Sequence, residues 1–169
     1  LREEPIAEEE LYAALRRAVI ANTLVPVLVG SALYNKGVQP LLDAVVRYLP
    51  SPLEVRPVRG HHPETEEPEL RPADPDAPFC GMVFKVASDP FVGHLSYVRV
   101  YAGLLEKGTQ IYNTARQSTQ RVGRLLRMYA AKREDIDHCM AGDIVGMIGL
   151  NESITGDTLC DVEHPLLLE

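Results

Sequence analysis

Tryptophan is absent from the 169 residues and phenylalanine occurs only three times, so any core must be built from Leu, Val, Ile and Ala. Cysteine is scarce and widely spaced, at Cys80, Cys139 and Cys160. No C-x-x-C and no Cys/His pair at finger spacing occurs, which excludes the common zinc patterns and a disulfide framework. Three cysteines in such a chain fit a reducing cytosol, so the expected location is cytoplasmic. Long apolar runs are missing too. Leu24 to Val29 is the longest and contains Pro26, far short of the ~18 residues that span a bilayer, so no membrane role is expected. No basic stretch precedes an apolar one at the start, so no signal peptide is expected. Residue 1 is Leu rather than Met, which suggests a piece of a longer protein.

Hydrophobic residues make up 46% and charged residues 24%, the balance of an ordinary globular chain. The net charge of -7 argues against a general nucleic-acid binder, but it is unevenly spread. Residues 51–78 carry three basic and seven acidic groups and, with Pro50, eight of the 13 prolines, with little large apolar surface. This segment is expected to be an irregular acidic connection. It separates residues 1–50 from residues 79–169. In the latter, Arg116, Arg121, Arg124, Arg127, Lys132 and Arg133 follow one another with no acid between them.

Residues 1–50 read as helix, strand, helix. Pro5 and Glu8 to Glu10 open the first helix, Arg16 and Arg17 suit its other end, and Leu11, Ala14, Leu15, Ala18 and Val19 form an apolar stripe. Leu24 to Val29 reads as a buried strand, placed at a sheet edge because Pro26 lacks an N–H. Val38, Leu41, Leu42, Val45, Val46 and Leu49 predict a second helix that Pro50 stops. One strand and two helices are not a domain, so apolar surface is left over. It invites docking or self-association.

Residues 79–169 read as all-β. Strands are predicted over 81–87, 95–102, 109–113, 122–128, 143–149 and 158–161, with a turn over Ser88 to Gly93. About six short strands punctuated by glycine suggest a small, nearly closed antiparallel barrel. Catalytic patterns are near misses. Gly103 to Gly108 has the glycine spacing of a phosphate loop but no Lys after the second glycine, so a strand-to-strand turn is the better reading. Asn35-Lys36-Gly37 is followed by Val38, where a guanine-reading Asp would be needed. His61 and His62 have no third ligand at metal-binding spacing. Asp135, Asp137 and His138 are neighbours in sequence without forming a triad, and Cys80 reads as a small core residue. From the residues alone, the chain is a β-barrel binding module, for RNA or protein, with an orphaned α/β fragment.

Several phrases add a resemblance. Val27-Leu-Val-Gly-Ser31-Ala32-Leu33, Asn35-Lys-Gly-Val-Gln39 and Leu42-Asp-Ala-Val-Val-Arg-Tyr-Leu-Pro-Ser-Pro52 resemble the end of the GTP-binding domain of the translation elongation factor G family. Phe84-Lys85, Asp89-Pro-Phe-Val-Gly-His-Leu95 and Arg99-Val-Tyr-Ala-Gly103 resemble the opening of that family's second domain. Val122-Gly-Arg-Leu-Leu-Arg-Met128 with Arg133-Glu134 resembles its middle, and Ala141-Gly-Asp-Ile144 with Thr155-Gly-Asp-Thr-Leu159 its close. Departures are His94, where the family often has Lys or Arg, and Tyr129-Ala130-Ala131 in place of His-Ala-Asn.

The resemblance implies a fragment of a translocation GTPase: the C-terminal remnant of the GTP-binding domain (1–50), a connection (51–78) and the domain-two barrel (79–169). It implies that Ser31, Ala32 and Leu33 pack on guanine. GTP or GDP and Mg²⁺ would be held by the full-length parent, and no cofactor or catalysis is expected of this piece. The implied partners are small-subunit RNA of the ribosome and the rest of the GTPase. The basic run from Arg116 to Arg133 is the expected RNA-contact surface, although strand alternation would put Arg121 and Arg127 on one face and Arg124 on the other. Ribosomal-protection proteins that displace tetracycline share this architecture and are the alternative relatives.

Overall fold

In the computed structural model, residues 6–129 and 132–169 are described; Pro5 and the pair Ala130-Ala131 lie outside them. Two units separate, Leu1–Ser51 and Pro52–Glu169.

The first unit contains α1 (Glu8–Ile20) and α2 (Val38–Tyr48). Three glutamates in the first turn of α1 and Arg17 in its last turn complement the helix dipole. The helices meet through Tyr12, whose ring lies 6.4 Å from that of Tyr48 and 4.4 Å beneath the Arg47 guanidinium. Arg16 reaches across to donate to the carbonyl of Arg47 at 2.6 Å. The apolar yield is small: α1 buries no residue fully and α2 only Ala44. The strand expected over Leu24 to Val29 does not form. A strand exists only as part of a ladder, and this unit offers no second strand among its described residues. Val25, Val27 and Val29 consequently stand 82–92% exposed.

The second unit is β throughout apart from a 3₁₀ turn at Pro52–Glu54. Its strands are β1 (Val58–His61), β2 (Pro68–Arg71), β3 (Cys80–Asp89), β4 (Gly93–Ala102), β5 (Leu104–Glu106), β6 (Gln110–Asn113) and β7 (Ser118–Arg121). They continue as β8 (Arg124–Tyr129), β9 (Lys132–Ile136), β10 (His138–Met140), β11 (Ile144–Ile148), β12 (Thr158–Cys160) and β13 (Leu167–Leu168). Eight of these form one antiparallel sheet in the order β7-β6-β12-β3-β4-β11-β8-β9. Its core holds Phe79, Val83, Val98, Leu125, Met147 and Leu159. The six strands expected from sequence all fall within this sheet, and its antiparallel character is as expected. Among the described residues the ladder does not close, because β7 and β9 end the order without pairing to each other.

The acidic proline-rich segment differs from its expectation as an irregular connection. β1 and β2 form a hairpin inside it, and β13 adds to β1. The apolar cover comes from far along the chain: Val58 packs on a cluster of Cys80, Ala102, Leu166 and Leu168. Arg71 is buried and fastens the hairpin, bonding Glu69 at 2.8 Å and the carbonyl of His164, 93 residues away, at 3.1 Å. Local composition cannot reveal a core whose other half is that remote.

Candidate functional site

The turn expected to meet guanine runs from Ser31 to Lys36. Ser31 and Lys36 exchange two backbone hydrogen bonds, 2.9 and 3.0 Å, and the Tyr34 amide donates to Ser31 Oγ at 3.4 Å. Glycine is required at its base. Gly37 has φ +74, and a Cβ on Gly30 would lie 2.8 Å from the Lys36 carbonyl oxygen. The neighbouring depression, about 240 Å³, is lined by Val29, Ser31, Ala32, Lys36 and Leu41 among others. Among the described residues the amides of Ala32 and Leu33 donate to no protein acceptor. The turn therefore offers donors for a base carbonyl, and Lys36 is its single cation.

The six basic residues are dispersed. Arg116 lies 3.4 Å from the buried carboxylate of Asp157. Arg124 makes a two-pronged contact with Asp135 at 2.8 and 2.7 Å, and that hydrogen-bonded pair raises the arginine and lowers the aspartate from their ordinary values. Arg133 pairs with Asp89 at 2.8 Å. Arg121 donates to the Gly108 carbonyl at 2.9 Å. Arg127 stands opposite Glu134 in the β8–β9 register, and its hydrogen bond with Tyr129 raises it further. Lys132 stands opposite Tyr129. The run is free of acid along the chain but not in space, because Asp135 of β9, Asp89 at the end of β3 and Asp157 supply carboxylates. Among the described residues, Arg121, Arg127 and Lys132 make no carboxylate ion pair.

The expected alternation of Arg121, Arg124 and Arg127 is interrupted. β7 ends at Arg121 and β8 begins at Arg124, so the count breaks at Val122-Gly123 and all three arginines are exposed. Within β8, Leu125 joins the core, while Leu126 is buried on the other face beside Gly146.

A different grouping emerges from the Arg133–Asp89 pair, which clips the β8–β9 hairpin to the β3–β4 hairpin. Asp89 also accepts from the amides of Phe91 at 2.9 Å and Val92 at 3.1 Å, fixing the turn. Phe91 projects from it 87% exposed. The Arg133 hydrogen bond, helped by these amides, lowers the Asp89 carboxyl from 3.8 to about 2. A carboxyl lowered on folding contributes stability above its ordinary value and loses it as pH falls through the folded one. The expected NMR midpoint for Asp89 is therefore near 2, moving toward the ordinary value in Arg133→Ala; a wild-type midpoint near 4 would show that the clip is not formed. The Asp89 turn is visible in the sequence but its partner is not, since Arg133 is remote.

No group of three His, Cys, Asp or Glu among the described residues is placed to hold a metal, and no described helix is long and apolar enough to cross a membrane. Residues 78–162 match the family of elongation factor G domain 2, which is half of the chain, and the chain belongs to that family. It is also similar to a protein of Thermus thermophilus known from its crystal structure, at 28% identity and a TM-score of 0.70. The match covers 96% of this chain and 22% of that one, so the chain spans about a fifth of that relative.

Proposed function

We propose that the chain is the domain-two segment, preceded by the tail of the GTP-binding domain, of an elongation factor G-type GTPase that drives tRNA and mRNA translocation on the ribosome in the cytoplasm. The supporting observation is that the domain-two match sits within a structural likeness extending over nearly the whole chain, the helical unit included. In such a parent, Ala32 and Leu33 would offer their amides to guanine beside Ser31. The phosphates and Mg²⁺ would be held by residues outside this chain, and this piece alone would hydrolyse nothing, because phosphoryl transfer depends on positioning and charge neutralisation that it does not supply.

The second unit would meet small-subunit RNA through the clipped hairpin tips rather than through the whole basic run. Among the described residues, Arg127 and Lys132 are cations there without a carboxylate ion pair, and Phe91 and Tyr129 are exposed on the same hairpins. Such cations meet phosphates, and exposed rings stack on bases. Arg116, Arg124 and Arg133 are committed to carboxylates within the fold.

The test uses the full-length parent carrying Arg127→Glu and Lys132→Glu. Ribosome-stimulated GTP turnover at limiting ribosome is expected to fall about tenfold at low salt. Its log–log salt dependence should flatten by about 0.7–0.9 for each phosphate no longer neutralised. Arg124→Ala, which removes only an exposed pair, should stay within about twofold of wild type. Unchanged turnover and salt slope in the folded double variant would overturn this assignment.

A further inference from the structure

β12 pairs with β3 so that Cys160 lies directly opposite Cys80. On one side of this position the Val83 amide donates to the Asp157 carbonyl at 2.9 Å, and on the other the Asp161 amide donates to the Phe79 carbonyl at 3.0 Å. Antiparallel ladders alternate hydrogen-bonded and non-hydrogen-bonded pairs. Positions 157/83, 159/81 and 161/79 are therefore of the first kind, and 160/80 is of the second. Non-hydrogen-bonded partners have Cα atoms about 4.5 Å apart with their side chains on the same face. A disulfide accepts Cα separations of about 4.4–6.8 Å. The register thus puts the two cysteines at a backbone separation that a disulfide accepts.

Their surroundings are shared. Both cysteines are fully buried, and Cys80 lies in the cluster formed with Ala102, Leu166 and Leu168. Cys160 Sγ is 3.3 Å from Thr114 Oγ1, whose hydroxyl donates to the Leu166 carbonyl. Burial pushes the Cys80 thiol up to about 12, with Arg71 pulling against the rise and Cys160 adding to it. Burial also raises Cys160, but Thr114 and Arg71 oppose it there. Cys139 is the internal contrast: it is buried in the other cluster and faces Leu105, with no sulfur across its ladder.

We propose that Cys80 and Cys160 are a reversible thiol–disulfide pair that hydrogen peroxide oxidises to a cross-strand disulfide between β3 and β12. Oxidation begins at Cys160, and the balance is the same if Cys80 leads. The Cys160 sulfur attacks one peroxide oxygen and the O–O bond breaks. The sulfur becomes a sulfenic acid, and the other oxygen leaves as water after taking up the thiol proton. The Cys80 sulfur then attacks the sulfenic sulfur, the S–O bond breaks, and the hydroxyl leaves as a second water with the Cys80 proton. Two thiols give up two electrons and two protons, and one peroxide becomes two waters. Because both sulfurs are enclosed and β12 is paired on both sides, with β6 and with β3, reaction requires local opening of these strands and is slow. An excess of dithiol reverses the bond by thiol–disulfide exchange.

The test uses the intact chain under native conditions with hydrogen peroxide as oxidant. The expected result is a mass lower by two hydrogens, a Cys80–Cys160 linked peptide, a free Cys139 thiol, and reversal by dithiothreitol. The oxidised chain should melt several degrees higher, since the link closes a long loop of the unfolded chain. Cys139→Ala should retain the link, and Cys80→Ala should lose it. The peptide map of the unmutated chain stands even if a variant folds poorly, and a urea-unfolded sample exposes all three thiols to confirm the oxidant. Thiols that stay reduced in the native chain, a link to Cys139 or between chains, or sulfinic acid at Cys160 without a link would each overturn the proposal.

Discussion

Gly103→Ala is expected to cost the second unit about 3–5 kcal/mol, the range of backbone strain combined with overpacking in a core. Gly103 has φ +75, and a Cβ there would lie 2.5 Å from Phe79 Cα, 2.6 Å from Phe79 N and 2.7 Å from the Ala77 carbonyl oxygen. All three neighbours are backbone atoms, so no side-chain rotation relieves the overlap. The strand leading into β3 would have to move, carrying Phe79 out of the core. Gly103 is also a node of hydrogen bonds: its amide donates to the Asp74 carbonyl and its carbonyl accepts from the Ala141 amide, both at 2.9 Å. Gly93 supplies the comparison. Its φ is +73 but nothing lies within 4 Å of the added Cβ, so Gly93→Ala should cost only the ~1 kcal/mol of left-handed strain. Urea unfolding of both variants checks the contrast, and equal losses would show that the close approach at Gly103 is not real. The same geometry explains the glycine spacing of 103 to 108, which serves a close backbone crossing and a turn.

Several features are legible in the sequence because their information is local. Val38, Leu41, Leu42, Val45 and Val46 recur at helical spacing, and α2 forms over Val38–Tyr48. Val98 and Val100 alternate with Tyr97, Arg99 and Tyr101, and β4 buries the first set while Arg99 rests 5.1 Å from the Tyr101 ring on the other face. Features that depend on remote partners are not legible. β1 and β2 stand on Leu166 and Leu168. Leu24 to Val29 has strand chemistry without a ladder partner in its unit. The basic run looks like one surface in the sequence because the acids that answer Arg124 and Arg133 belong to other strands or turns. The Ser31 turn is legible as a turn, and its two available amides follow from a chain reversal closed by the Ser31–Lys36 bridge. The cysteine pair cannot be read from spacing, since only the ladder register brings positions 80 and 160 together.

Asp157→Ala is expected to cost about 3 kcal/mol, the lower part of the range for breaking a buried charged network by removing one partner. Asp157 Oδ2 accepts from Asn113 Nδ2 at 2.8 Å, from the Ile154 amide at 3.0 Å and from Arg116 Nε at 3.4 Å. Asn113 also reaches Ser153 Oγ at 3.2 Å, and Gln120 reaches the same oxygen at 3.3 Å. Asn113 and Ser153 are fully buried, so removing the carboxylate strips an acceptor from groups that water does not reach. Arg116, whose side chain is 41% exposed, can turn to solvent, which keeps the loss below the extreme of a stranded buried cation. Asp157→Asn retains one acceptor oxygen and should lose less than half as much. The effect should also be local: the Ile154 amide, freed of its acceptor, should exchange at least tenfold faster in Asp157→Ala under conditions where the core amides of β4 remain protected. A loss below about 1 kcal/mol, or unchanged exchange at Ile154, would mean that the Thr155-Gly-Asp-Thr-Leu159 segment is held by its ladder with β3 rather than by this carboxylate.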